Sequence, residues 1–301
     1  PMKKLIFNDT KKSFSYQESI KICYEVINHN YENFPIYMFF LNKDIMNDFA
    51  SIYAFSRGVD FIGDELKSNE VSEGLRVWKS ELDLAFNGNP SNPIFIALSK
   101  TIRKYKLEIT PFKRLIKANE MDQSITKYNS WKDIFLYCDH SANPVGEIVL
   151  KILGYTEKSN VEFSNKICTA LQITNFIQDI KIDHDKNRTY IPQSLLEKHD
   201  LDFSIINTVN KNNNNFLIKF DNLIFDLARE NQKLYDEGRN LIKNISKKHA
   251  IIINIFILSG QTILDKIKNQ KSNILFNKPR TNKFEKLYII MKATALVLIK
   301  R

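Results

Sequence analysis

The stretch QITNFIQDIKIDHDKNRTYIP, residues 172–192, decides how this chain folds. Ile173, Phe176, Ile177 and Ile180 recur at helical spacing, so residues 160–183 are predicted as one long helix. An α-helix turns about 100° per residue, which places Gln172, Asn175, Asp179 and Asp183 on one narrow stripe. Asp179 and Asp183 sit one turn apart, and like charges at that spacing repel. A divalent cation beside the pair would remove that repulsion.

The geometry recurs upstream. In DIMNDFASIYAFSRGVDFIGDE, residues 44–65, the side chains of Tyr53, Arg57, Asp60 and Asp64 form a second polar stripe ending in two carboxylates. Val59, Phe61 and Ile62 lie beside it. One aspartate pair arises easily by chance in a chain that is 26% charged. Two matched pairs on apolar helices, one stripe carrying amides and no lysine, point to a site rather than to two solvated faces. Hard oxygen ligands one turn apart suit Mg²⁺, which binds through a few carboxylates plus substrate phosphate. Arg57 and Arg188 supply charge for phosphate oxygens. The expected arrangement has four carboxylates around a cavity, holding Mg²⁺ against a diphosphate and promoting ionisation of a carbon–oxygen bond.

The rest of the chain reads as helix. Only eight Gly and eight Pro occur in 301 residues, and no strand-like alternation persists. Helices are predicted over residues 71–86, 94–105, 111–122, 131–140, 145–153, 216–244 and 250–268. Thr110 is taken as N-cap of the 111–122 helix, with Pro111 at its first position, and Gly154 as a stop. The Asn-rich 210–215 segment is a loop, too short to act as a linker between domains. The predicted fold is therefore all-α, a single domain over residues 1–301 with helices around a central cavity.

The formal charge of +10 suits an anionic partner, although Lys-rich composition alone explains it equally well. The basic residues are dispersed, so no nucleic-acid module is expected. No GxGxxG loop is present and no nicotinamide is expected. Three scattered cysteines fit a reducing cytoplasm, and neither a secretory signal nor a membrane span is expected. The terminal run KPRTNKFEKLYIIMKATALVLIKR reads either as a last packing helix or as a basic, apolar segment that docks peripherally on an anionic membrane, at its inner face.

Taken together, DFIGD (60–64), QDIKID (178–183) and NRTYIP (187–192) resemble the aspartate-rich motifs of the squalene and phytoene synthases. NYENFPI (30–36), IYAFSR (52–57), ELDLAF (81–86), YCDHSANPVG (137–146) and KPRTNK (278–283) are similar to the bacterial hopanoid-pathway branch, nearest to hydroxysqualene synthase. The resemblance implies an isoprenoid-synthase fold, a Mg²⁺ requirement and conversion of presqualene diphosphate and water to hydroxysqualene and diphosphate. It also implies that Asp60, Asp64, Asp179 and Asp183 hold the metal. Tyr53, Arg57, Gln172, Asn175, Arg188 and Tyr190 match polar residues around the isoprenoid diphosphate substrate. Tyr137, Val145 and Gly146 shape the cavity on the same grounds. Phe61 stands where relatives carry a second adjacent acid, with Glu65 as a possible substitute ligand or, on the plainer reading, an exposed capping charge. Rival readings are condensation of two farnesyl diphosphates to presqualene diphosphate or squalene, phytoene synthesis, and a non-catalytic assembly protein.

Overall fold

A computed structural model describes residues 2–7, 13–30 and 41–299, so residues 31–36 of the NYENFPI motif lie outside the described residues. Among the described residues there are fourteen α-helices, short 3₁₀ turns and no strand, and the fold class is all-α. By packing, the chain forms two compact units: Pro1–Ser124 with Glu147–Gly154, and Ile125–Gly146 with Tyr155–Arg301.

The first unit holds α1 (Met2–Ile6), α2 (Tyr16–Asn30), α3 (Lys43–Glu65), α4 (Ser68–Asn87), α5 (Pro93–Tyr105) and α6 (Ile109–Met121). Asn42 caps α3 by accepting the Ile45 N–H at 2.9 Å. Asn92 caps α5 by accepting from Ile94, with Pro93 at the first position. The α6 prediction needs correction. The helix begins at Ile109 after Glu108, so Thr110 is not its cap and Pro111 is the third helical residue. Proline is tolerated there because first-turn N–H groups have no partner within the helix. The core is aromatic: Phe55 of α3 meets Trp78 of α4, Phe95 of α5 and Phe112 of α6, with ring centroids 5.3–6.1 Å apart. All four rings are fully buried. This face fixes the rotation of α3 and leaves its polar stripe outward.

The second unit holds α7 (Trp131–Ser141), the start of α8 (Asn143–Leu153), α9 (Lys158–Gln178), α10 (Ile180–Asp185), α11 (Gln193–Lys198), α12 (Asn214–Gly238), α13 (Lys247–Gln270) and α14 (Lys283–Ile299). Gly154 does end α8, with φ +83° in the left-handed region that glycine tolerates. α9 packs on α12 and α13. Between them Asn231 donates to the Ala170 carbonyl at 3.0 Å, and the hydroxyls of Thr174 and Tyr235 share a 2.8 Å hydrogen bond. The two hydroxyls and the Asn231 amide nitrogen are satisfied in this way, while Asn231 Oδ1 is buried with no hydrogen bond. The helix predicted at 216–244 stops at Gly238 and continues as a 3₁₀ segment, Arg239–Asn244. Among the described residues one segment, residues 247–275, is long and apolar enough by composition to cross a membrane. More than half of that window is buried within the unit, as in a core helix.

Candidate active site

On α3 the first stripe is open to water while its flanks are not. Asp60 and Asp64 are exposed and Tyr53 and Arg57 half-buried, whereas Val59 and Ile62 are buried. Asp60 is reached by solvent on one side and crowded by protein on the others. That crowding, with the Asp64 charge one turn away, pushes its pKa up to about 6; Arg57 and a hydrogen bond from Asn119 pull the other way. Burial likewise raises the Tyr53 phenol. Glu65 is not a lone capping charge, because its carboxylate pairs with the Arg57 guanidinium two turns back along the helix.

Asn119 was not a sequence candidate, and the reason it reaches Asp60 lies in Gly63. A Cβ built on Gly63 falls 2.1 Å from Asn119 Oδ1, so any other residue would expel the amide. Gln123 secures the same contact by donating to the carbonyls of Gly63, at 3.3 Å, and Asn119, at 3.2 Å. The glycine of DFIGD therefore serves close approach of α6 to the carboxylate stripe. Asp122 adds a further negative charge felt by Asp60.

In the second unit, the single helix predicted at 160–183 divides at Asp179, whose φ −109° and ψ 13° depart from helical values. The hydrogen-bond ladder nevertheless runs through the joint: Asp179 donates to Asn175 at 2.9 Å and Asp183 to Asp179 at 2.8 Å. One-turn spacing of the aspartates survives. The Asp183 carbonyl then accepts from Lys186 at 3.0 Å and Arg188 at 2.9 Å, around Asn187 at φ +57°. Asparagine adopts that left-handed conformation more readily than most residues. Beyond the turn, Thr189 donates to Thr126 and Gln193 to Tyr128, both at 2.8 Å, so NRTYIP is pinned to residues 126–128.

The pinning seats Tyr190 in a cluster of rings. It stacks on Phe176 of α9 at 4.3 Å and lies 5.1 Å from Tyr137 of α7. Both tyrosines are buried. Gln172 is half-buried and Asn175 exposed on the same stripe as the aspartates; Arg188 is half-buried. Gly146 sits where α8 crosses α9, and a Cβ there would lie 2.4 Å from Ser164 Oγ and 2.7 Å from Cys168 Sγ. Close helix contact explains this glycine without reference to a cavity; Val145 beside it is half-buried. Lys278 is a further residue the stripe alone did not mark. Its ammonium pairs with Asp179, and Gln178 donates to the next carbonyl, that of Pro279, at 2.5 Å.

Each carboxylate pair, taken by itself, offers donors that fit a hard divalent cation. The donors are all oxygen; Asp60 is strained by crowding and by the Asp64 charge, and Asp179 Oδ1 is answered by the Lys278 ammonium, which a cation would displace. Among the described residues no three acidic, imidazole or thiol side chains converge as a ready-made cage. Mg²⁺ does not demand one, because it keeps water and shares substrate phosphate oxygens.

The squalene/phytoene synthase family model matches residues 27–285. The crystal structure of squalene synthase HpnC from Alicyclobacillus acidocaldarius is 33% identical, with 85% of this chain and 95% of that chain covered and a TM-score of 0.77. Hydroxysqualene synthase of Zymomonas mobilis is 30% identical over 173 residues, 56% of this chain and 57% of that protein. Phytoene synthase 2 of Solanum lycopersicum is 25% identical over 94% of this chain and 92% of its own length.

Proposed function

This chain belongs to the squalene/phytoene synthase family and is an isoprenoid synthase, and we propose that its own reaction converts presqualene diphosphate and water to hydroxysqualene and diphosphate, with residues 1–301 working as one catalytic domain. The observation that carries this reading is the pair of accessible carboxylate stripes on otherwise buried helices, in a chain similar over most of its length to a squalene synthase HpnC.

In this mechanism Asp60 with Asp64, and Asp179 with Asp183, would hold Mg²⁺. Bound there, the ion would neutralise the diphosphate and stabilise it as a leaving group. Arg57 and Arg188 meet the phosphate oxygens, and Arg57 exchanges its Glu65 partner for substrate. Gln172, Asn175 and Tyr53 orient the diphosphate by hydrogen bonds. The bond between the cyclopropylcarbinyl carbon and the diphosphate oxygen breaks, its electron pair leaving with diphosphate. Aromatic side chains stabilise the carbocation by their ring faces. Water adds to the cation and loses a proton, which balances the reaction. Tyr137, Tyr190 and Gly146 position the α7–α9 wall rather than contact phosphate, in keeping with their burial.

The second reading, condensation of two isoprenoid diphosphates as in phytoene synthesis, is favoured by the phytoene synthase relative that spans 94% of the chain. Incubation of the purified protein with Mg²⁺ and presqualene diphosphate alone, then with farnesyl or geranylgeranyl diphosphate alone, separates them by product. Hydroxysqualene from the first substrate is the expected result. Its absence, with a condensation product from either of the others, overturns the proposal.

A further inference from the structure

α14 is apolar on two opposite faces. Ile289, Ala293 and Val297 are buried on the side that packs on α13, where Asn254 donates to the Ala293 carbonyl. The other face is open. Phe284 is 85% exposed and Ile299 80%, and Leu287, Tyr288, Met291 and Leu298 are each more than half exposed. On a helical wheel these six fall within an arc of about 120° centred opposite Ala293. The helix is a well-formed platform, since Asn282 and Glu285 cap it reciprocally at 2.8 and 2.9 Å. A contiguous stripe of large apolar side chains in water marks a surface that something covers.

Charge identifies the occupant. Lys292 lies about 80° to one side of the stripe and Lys283 about 100° to the other, both exposed. The Lys292 ammonium stays 5.7 Å from the Tyr288 ring, at the edge of the stripe. Glu285, the one acid of α14, is neutralised by Lys266 at 2.7 Å. Apolar centre and cationic margins match the acyl boundary and phosphate plane of an anionic bilayer. A second copy of this chain would bring the same lysines and the same positive charge against themselves.

We propose that α14 is a membrane-docking helix, lying in the plane of an anionic lipid surface with the Phe284–Leu287–Met291–Leu298 stripe inserted and Lys283 and Lys292 at the lipid phosphates. Its buried opposite face keeps it from spanning the bilayer. The inference does not depend on which isoprenoid reaction the protein performs.

Flotation of the purified protein with phosphatidylcholine vesicles, with and without phosphatidylglycerol, tests it in the absence of substrate. The wild type should float with anionic vesicles at low salt and not with neutral ones. Lys283→Glu with Lys292→Glu should weaken binding by about tenfold or more. Phe284→Ser with Met291→Ser should abolish it, while circular dichroism and turnover of detergent-dispersed substrate stay unchanged; all four residues are exposed, so folding is not at risk. Failure of the wild type to float at low salt overturns the proposal. So does flotation indifferent to both double variants, or a dimer in sedimentation velocity that the Phe284/Met291 variant dissolves without any vesicle binding.

Discussion

Asp60→Asn should make this protein more stable and inactive at once. The folded protein raises the Asp60 pKa from 3.8 to about 6, because protein crowds the carboxylate and Asp64 repels it. A raised carboxylate pKa means that the folded state binds the proton more tightly than the unfolded state. Ionised Asp60 therefore destabilises the fold, with no cost below about pH 4, a cost that grows between 3.8 and about 6, and the full cost above. At about 1.4 kcal/mol per pKa unit the displacement corresponds to about 3 kcal/mol at most. Asp60 is open to water on one side, and screening there reduces the figure to about 1 kcal/mol. Asparagine keeps the shape, removes the charge and should raise Tm at pH 7.5 by about 2 °C for a chain of this length. Near pH 4 the difference should vanish. Added Mg²⁺ should raise Tm of the wild type through preferential binding to the folded state, and raise that of the variant less. Calorimetry at the two pH values, with and without Mg²⁺, measures all of this. An Asp60→Asn protein that melts below the wild type at pH 7.5 in metal-free buffer would refute the reasoning, as would undiminished turnover.

If Asp60 holds the metal, the same pKa predicts that the Mg²⁺ concentration for half-maximal turnover rises as pH drops through about 6, where the proton competes with the cation, and that raising Mg²⁺ moves the acid limb to lower pH; pH–rate profiles at low and high Mg²⁺ check this. Gly63→Ala should drive Asn119 away from Asp60, lower stability by about 1–3 kcal/mol in urea unfolding, and move that acid limb to higher pH because a hydrogen bond to the carboxylate is lost. Gly146→Ala should destabilise by a similar amount, about 1–3 kcal/mol, through collision with Ser164 and Cys168, with the Mg²⁺ dependence of the remaining activity unchanged. Lys278→Met should lower the Mg²⁺ concentration for half-maximal turnover by about fivefold, since the ammonium and the metal compete for Asp179 and a part-exposed ion pair is worth about 1 kcal/mol; an unchanged half-saturation would count against competition.

Much of the fold was legible as periodicity. α3, α4, α5 and α7 begin and end within a few residues of their predicted bounds, because apolar side chains at helical spacing must find a buried face. Boundaries failed where the local signal was ambiguous. Thr110 looks like a cap but lies inside α6, and α2 was missed altogether. The polar stripes themselves were readable for a geometrical reason: residues one turn apart share a face on any α-helix, and the ladder through Asp179 kept that relation across an unforeseen break.

What the sequence settled by itself was the all-α class, the family resemblance and the two stripes of Tyr53, Arg57, Asp60, Asp64 and Gln172, Asn175, Asp179, Asp183. These depend on relations within a few turns of one helix, which the order of residues already contains. The partners of those stripes came only from the tertiary structure. Asn119 reaches Asp60 from another helix across the space Gly63 leaves, Lys278 meets Asp179 from a distant point in the chain, and the open face of α14 exists because its other face is already occupied by α13. No local spacing encodes such meetings, because they depend on how separate helices are rotated and packed, and packing is decided by the whole core at once.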